Sequence, residues 1–134
     1  MYQIKRNHIV EDLEIEDNGK TLNLKVDLNV DTILHRYNKA QYKIAEASAQ
    51  AKTAADEKEL GMAEEAMGNA VLGLFEIVFG EEQTKQIIDF YGGDKALEML
   101  GDIAPFINDV VAPKVNEAQQ RVADRYKQVS KRGR

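Results

Sequence analysis

Hydrophobic and polar residues alternate in two short stretches near the start of the chain. The alternation runs over residues 9–16 and again over residues 22–29, and a period of two is typical of strands with one buried face. The dipeptide Asn18-Gly19 between them supplies two residues that tolerate the positive φ angles of a tight hairpin turn. The pattern therefore predicts an N-terminal β-hairpin. Because an isolated hairpin is marginally stable in water, this one should pack on helices or pair its edge with another chain.

From Val30 onward the spacing of apolar residues changes to the steps of three and four that a helix requires. A first helix is predicted over residues 31–57 and a second over residues 60–79. The second is apolar on nearly every side after Ala70, which is typical of a central buried helix. Gly80 is expected to end that helix.

Helix breakers divide the rest of the chain into shorter predicted helices. A helix that begins near Glu81 should end at Gly92, and further breaks are expected at Gly101 and at Pro113, since proline lacks an N–H and clashes with the preceding turn. The whole pattern predicts an α+β fold, mainly α, in which the N-terminal β-hairpin packs on a bundle of four to five helices.

One domain is expected over residues 1–134, with the hairpin at 8–29, the helical bundle at 31–128 and a basic tail at 129–134. A chain of 134 residues that is 43% hydrophobic is long enough and apolar enough to build one packed core. The residues predicted to form that core are Leu24, Val26, Ile33, Leu74, Phe75, Val78, Phe79, Ile87, Leu100 and Ile107.

The apolar face of the first helix narrows along its length from isoleucine and tyrosine to alanine. Small residues allow close helix contact but each buries little area, so residues 45–59 are a candidate for a mobile or partner-dependent arm. The alanine seam and the hairpin edge both favour a homo-oligomer. The residues predicted to contact a partner, on this helix and on the sparsely apolar last helix, are Tyr37, Ile44, Ala47, Ala51, Ala54, Val115 and Val122.

Charge is distributed unevenly along the chain, whose formal net charge is −5. Residues 121–134 carry six basic side chains and one acidic one, or +5, which leaves −10 for residues 1–120. A basic tail of this kind either binds nucleic acid or is a solvated helix end whose cations complement the helix dipole. The acidic body repels nucleic acid, so we favour the second interpretation.

The residues that most enzymes need are scarce. The chain has no cysteine and only two histidines, His8 and His35, neither of which belongs to an HExxH-like motif. Phosphate-binding glycine loops and a GxSxG elbow are also absent from the sequence. We therefore expect no catalytic residues, no metal, no cofactor and no enzymatic activity.

Membrane insertion is not expected either. The most apolar stretch, residues 70–79, contains Glu76 and is much shorter than the ~20 residues that span a bilayer. The N-terminal residues lack an apolar run of the length found in signal peptides. These features predict a protein that stays in the cytoplasm of the cell that makes it.

Three stretches that cover most of the chain resemble a known family. They are the hairpin leading into a helix at residues 17–41, the apolar helix with FGEE and IIDFY at 69–93, and the segment containing PFINDVVAPKV at 95–115. In this order they resemble the small tail-assembly chaperones of long-tailed phages and prophages of Gram-positive bacteria. None of these stretches is a catalytic signature, so the resemblance is one of pattern.

The resemblance implies a non-enzymatic role in virion assembly, in the cytoplasm of the bacterial host. Chaperones of this family bind the tape-measure protein, a very long helical protein, and help the tail-tube protein to assemble around it. Two alternatives remain open at this point. One is a structural virion protein, such as a tail or head–tail connector component. The other is a small nucleic-acid-binding module that uses the basic C-terminal tail.

Overall fold

The computed structural model describes residues 1–4, 6, 8–93 and 95–132, with side chains as far as Gln128. The side chains of the predicted basic tail at 129–134 therefore lie outside the described residues. The elements in chain order are β1 His8–Asp17, β2 Lys20–Asn29, α1 Val30–Lys52, α2 Glu57–Tyr91, α3 Ala96–Phe106, a π-helical turn Ile107–Val111, and α4 Ala112–Arg132.

The predicted hairpin is confirmed. β1 and β2 pair antiparallel from His8 opposite Asn29 to Asp17 opposite Lys20. Asn18 and Gly19 form the two-residue turn with φ angles of 51° and 85°, the positive values that this kind of turn requires. One face of the hairpin packs on the helices, where it buries Ile9, Leu24, Val26 and Leu28, and the other face is exposed to solvent.

The first helix is shorter than predicted. α1 begins at Val30, with the Asn29 side chain accepting a hydrogen bond from the Thr32 amide, but it ends at Lys52 and not at 57. A reciprocal capping box starts α2 instead: Asp56 accepts a hydrogen bond from the Glu59 amide, while the Glu59 carboxylate accepts one from the Ala55 amide, both at 2.8 Å. Residues 45–59 are therefore the tip of a helical hairpin and not a single extended arm.

The second helical segment continues past the glycine that was predicted to end it. Gly80 has φ 82° and ψ 164°, so the helix bends there, yet it resumes at once and ends only at Tyr91. The Thr84 hydroxyl donates to the Gly80 carbonyl oxygen at 2.7 Å, and the Gln83 side chain donates to the Phe79 carbonyl oxygen at 2.7 Å. These bonds occupy carbonyl groups that the bend removes from the regular helical pattern.

The third segment is also continuous. α3 passes without a break through the π-helical turn into α4, and neither Gly101 nor Pro113 ends the helix. The wide π-helical turn ends at Val111, two residues before Pro113, in the region where a regular turn would require the missing proline N–H. The described part of the chain thus contains three helical segments rather than the four to five predicted.

The core lies where the inner face of the hairpin meets α1, α2 and the third segment. Nine of the ten residues predicted for it are buried, and Leu100 is half-buried against their cluster. Phe75 is fully buried and meets Phe79 edge to face, with ring centroids 5.9 Å apart, and Phe79 stacks on Phe106 at 6.2 Å. None of the described helices is both long enough and apolar enough to span a membrane.

Candidate partner-binding groove

The helical hairpin made by α1 and the first half of α2 carries an open groove on one side. Its volume is about 490 Å³. The small residues of both helices that line it form its floor, and they are Ala40, Ala47, Ala66, Ala70 and Gly73. Because these side chains are short, another backbone can approach the two helices closely along this floor. The groove can therefore receive an extended partner such as a helix.

The wall of the groove on the α1 side is basic. Arg36, Lys39 and Lys43 line it at steps of three and four, which places them on one strip of the helix. All three are exposed, and Glu46 is the acidic residue on the same wall. The α2 side contributes Asn69 and Ile77, so the charge that lines the groove comes from α1 and is net positive.

Smaller cavities extend the groove at both ends. Towards the tip of the helical hairpin, Gln50 is shared with a cavity that Thr53, Glu59 and Met62 also line. Towards the β-hairpin, Arg36 and Ile77 are shared with a cavity of about 380 Å³ that reaches the edge of β2. From Thr32 in α1 to Thr53, the residue that follows α1, the distance is about 30 Å at 1.5 Å per residue. The extended groove can thus hold a helix of about 20 residues.

The edge of β2 next to the groove is closed by a side chain. The Gln83 carboxamide accepts a hydrogen bond from the Lys25 amide at 2.8 Å and donates one to the Lys25 carbonyl oxygen at 2.7 Å. It therefore pairs with the strand much as a neighbouring strand would. The N–H and C=O groups of Lys25 point away from β1. In an antiparallel pair, the N–H and C=O groups of its partner Asp12 therefore point away from β2, at the opposite edge of the hairpin.

A tyrosine ties the end of α2 to the third helical segment. The Tyr91 hydroxyl donates to the Asp102 carboxylate at 2.7 Å. Burial, and then this hydrogen bond and the negative charge of Asp102, raise the pKa of Tyr91 well above its usual value. Tyr37 is a buried member of the core on α1, where burial raises its pKa and a hydrogen bond from Gln41 partly offsets the effect.

The residues that were predicted to contact a partner do not form one surface in the structure. Tyr37 and Val115 belong to the protein's own core, because α4 covers this face of α1, so their assignment to a partner surface is wrong. Ala47 is buried at the floor of the groove. The remaining four are half-buried outside the groove lining, and they are Ile44, Ala51, Ala54 and Val122.

The pattern of the sequence alone did not single out the α2 side of the groove or its basic wall. Ala66, Gly73 and Ile77 recur at steps of seven and four, which places them on one strip of α2. The spacing therefore contains the signal, but it indicates a groove only together with the turn at residues 53–56, which folds α2 back beside α1.

Among the described residues, no group of three histidine, cysteine, aspartate or glutamate side chains is placed to hold a metal ion. His8 instead contacts Asp27 across the hairpin, with Nδ1 and Oδ1 3.0 Å apart.

Comparison with known proteins found no relative: no family model, no curated protein and no solved structure matches the chain.

Proposed function

We propose that this protein is a non-enzymatic tail-assembly chaperone that holds a long helical protein in the groove between α1 and α2. By the family resemblance, that partner is a phage tape-measure protein, and the tail-tube protein then assembles around it. The observation that carries the proposal is the groove itself, because it is long, open and floored by small side chains.

Helix-in-groove recognition accounts for how such a surface would work. An amphipathic helix lays its apolar face into a groove between two helices, and the contacts recur along the helix at steps of three and four. The floor residues Ala40, Ala66 and Gly73 provide the close approach, and half-exposed Ile77 adds an apolar contact near the bend of α2. Many weak copies bound along one long partner would together bind it tightly through avidity.

A groove-filling substitution tests the site. A Cβ placed on Gly73 would meet no atom within 4 Å, so a larger side chain there occupies the groove without disturbing the fold. We expect Gly73→Leu to fold normally and to lose capture of the tape-measure protein when the two are co-expressed and the complex is isolated by pull-down. Replacement of a helical glycine also removes a cost of about 1 kcal/mol, so stability should not fall.

Gly61→Leu is the matched control. Gly61 lies on the same helix, also has open space around it, and does not line the groove. The control should capture the partner as the wild type does. Equal capture by Gly73→Leu would show that the groove is not the binding site, and failure of the wild type to capture the tape-measure protein under any condition would remove the chaperone function.

Purified phage particles separate the chaperone from a structural virion protein. A chaperone should be absent from mature tails, whereas a tail or connector component should be present in them at a fixed number of copies. The neighbouring genes provide a second check, because a chaperone of this kind is expected immediately before a very long tape-measure gene.

A further inference from the structure

We propose that the groove between α1 and α2 selects a helix with one acidic flank, which faces α1, and that this helix lies antiparallel to α1. The inference rests on the proposed role of the groove as a helix-binding site and adds the chemistry and the direction of the helix. It follows from the distribution of charge along the groove, which is independent of the small residues on its floor.

The chemistry follows from the basic wall. Arg36, Lys39 and Lys43 are exposed on the strip of α1 that borders the floor, and no described side chain forms an ion pair with them. A helix in the groove would place its own flanking residues against this wall, as e and g positions do in a coiled coil. Carboxylates on that flank satisfy the three cations, whereas lysines would meet like charges.

The direction follows from the two ends of the groove. Arg36 and Lys39 lie in the half nearer the β-hairpin and Lys43 lies at the middle, while Glu46 and Glu59 lie in the half nearer the tip. Lys25 and Asp27, which line the cavity at the β-hairpin end, offset each other. A bound helix carries partial negative charge at its C-terminus and partial positive charge at its N-terminus. Both the side chains and the helix dipole therefore favour a helix whose C-terminus points to the β-hairpin. Because α1 runs from the β-hairpin to the tip, this orientation is antiparallel to α1.

Acidic side chains border the groove on the α2 side. Glu65 lies four residues before Asn69 and Glu76 lies three residues after Gly73, so both share a strip of α2 with these lining residues, and both are exposed. Carboxylates of the partner are therefore favoured on the flank that faces α1 and not on the flank that faces α2. The partner is thus identified as an amphipathic helix of about 20 residues with a small apolar seam and carboxylates on the α1-facing flank of its C-terminal half.

Designed helical peptides test the chemistry. The probe has an alanine and leucine seam with glutamate on one flank of its C-terminal half, the flank that would face α1, and a second peptide has lysine at the same positions. At low salt the wild type should bind the glutamate peptide about tenfold more tightly by fluorescence anisotropy, as expected for several exposed ion pairs acting together. Lys39→Glu combined with Lys43→Glu should abolish or reverse that preference.

The control is Lys20→Glu combined with Lys85→Glu, which gives the same net charge with both changes outside the groove. It should keep the preference for the glutamate peptide. Equal binding of both peptides by the wild type, or an equal effect of the two double variants, would overturn the proposal. The proposed function would survive that result if capture of the tape-measure protein still depended on Gly73, so the two failures are distinguishable.

Disulfide trapping tests the direction. The chain has no cysteine, so Thr32→Cys near the β-hairpin and Gln50→Cys near the tip each supply a single thiol. In a glutathione redox buffer, a glutamate peptide with a C-terminal cysteine should be trapped by Thr32→Cys and not by Gln50→Cys. Trapping mainly by Gln50→Cys, or equally by both, would overturn the assigned orientation.

Discussion

At the scale of single residues, the core depends on a few large side chains from the middle of α2. Phe75 is fully buried, and its ring contacts Phe79, which in turn stacks on Phe106 of α3. These contacts join the second and third helical segments. Replacing Phe75 by a small residue would leave a void, and the surrounding side chains of so small a core could close it only in part.

Phe75→Ala should therefore lower the free energy of unfolding by about 3–5 kcal/mol. Urea unfolding followed by circular dichroism measures the change. Leu97→Ala is the control, because Leu97 is 65% exposed on α3, and it should change stability by less than about 1 kcal/mol. Similar midpoints for the two variants would contradict the assignment of Phe75 to the core.

Tyr91 predicts a loss of stability in alkali. The folded state holds the neutral phenol through burial and through its hydrogen bond to Asp102, which raises its pKa. This contribution is fully present below the unfolded pKa of about 10 and is lost as the pH rises from there towards the folded pKa. Tyr37 adds a contribution of the same sign, because its pKa is also raised.

Tyr91→Phe should consequently reduce the decline in stability between about pH 9 and pH 11, since phenylalanine does not ionise. The test is the free energy of unfolding in urea at a series of pH values. Tyr126→Phe is the matched control, because Tyr126 is 74% exposed. If the two variants had the same pH profile, the Tyr91–Asp102 contact would not be the source of the effect.

At the scale of secondary-structure elements, the hairpin was predictable and the breaks between helices were not. Period-two alternation and Asn18-Gly19 act locally, so they define the strands without reference to the rest of the fold. The breaks depend on context. Pro113 follows a π-helical turn, which supplies the room that it needs, and Gly80 bends a helix that packing on both sides allows to continue.

The break at residues 53–56 had a local signal that was outweighed by composition. Asp56 and Glu59 have the spacing of a capping box, but they stand in a stretch rich in alanine, glutamate and lysine that favours continuous helix. Because this turn was not predicted, the location of the partner-binding groove could not be predicted either. Without it α1 has no partner helix, and the groove between α1 and α2 is not foreseeable.

Gly80 should be the least replaceable glycine within the helices. Its φ of 82° with ψ of 164° lies in a region that essentially only glycine occupies. A Cβ there would meet no neighbouring atom within 4 Å, so any cost arises from the backbone alone. Gly80→Ala should destabilise the protein by about 1–3 kcal/mol in urea unfolding.

Gly101→Ala provides the comparison for this prediction. Gly101 lies within α3 and also has open space around it, so alanine should be neutral or should stabilise the protein by about 1 kcal/mol. A Gly80→Ala variant as stable as Gly101→Ala would mean that the bend does not depend on the glycine conformation.

At the scale of the whole molecule, the distribution of charge disfavours one surface, the edge of β1, as a contact between two copies of the chain. The outward-facing side of β1 carries Asp12, Glu14 and Glu16, all exposed. Antiparallel pairing of two such edges would bring like charges together, so the hairpin edge is poorly suited to join two copies. Formation of a homo-oligomer stays a prediction, and it would have to use another surface than this edge.

The basic C-terminal segment should be dispensable for binding a helical partner. Residues 121–134 carry +5 by sequence, and their described contacts with the body include an ion pair from Arg121 to Asp31 at 3.5 Å. Truncation after Gln120 leaves Val115 and Ala118 in place, which are the residues that α4 buries in the core. The fold and the groove should therefore survive, with a modest loss of stability.

Salt dependence separates the groove from the tail as the site of binding. Contacts between apolar faces should persist at 0.5 M salt, because screening over a Debye length of about 4 Å weakens exposed ion pairs but not hydrophobic burial. Binding of nucleic acid by the tail would instead weaken steeply with salt and disappear on truncation. In a pull-down of the co-expressed tape-measure protein, the truncated chain should capture as much as the full-length chain at 0.1 M salt and again at 0.5 M salt, although both should capture somewhat less at 0.5 M because the ion pairs along the basic wall are screened. If the truncated chain captures none, or if capture by the full-length chain vanishes at 0.5 M, binding by an apolar groove is refuted. Arg125→Gln combined with Lys127→Gln, two exposed positions on α4, then shows whether charge alone explains the loss.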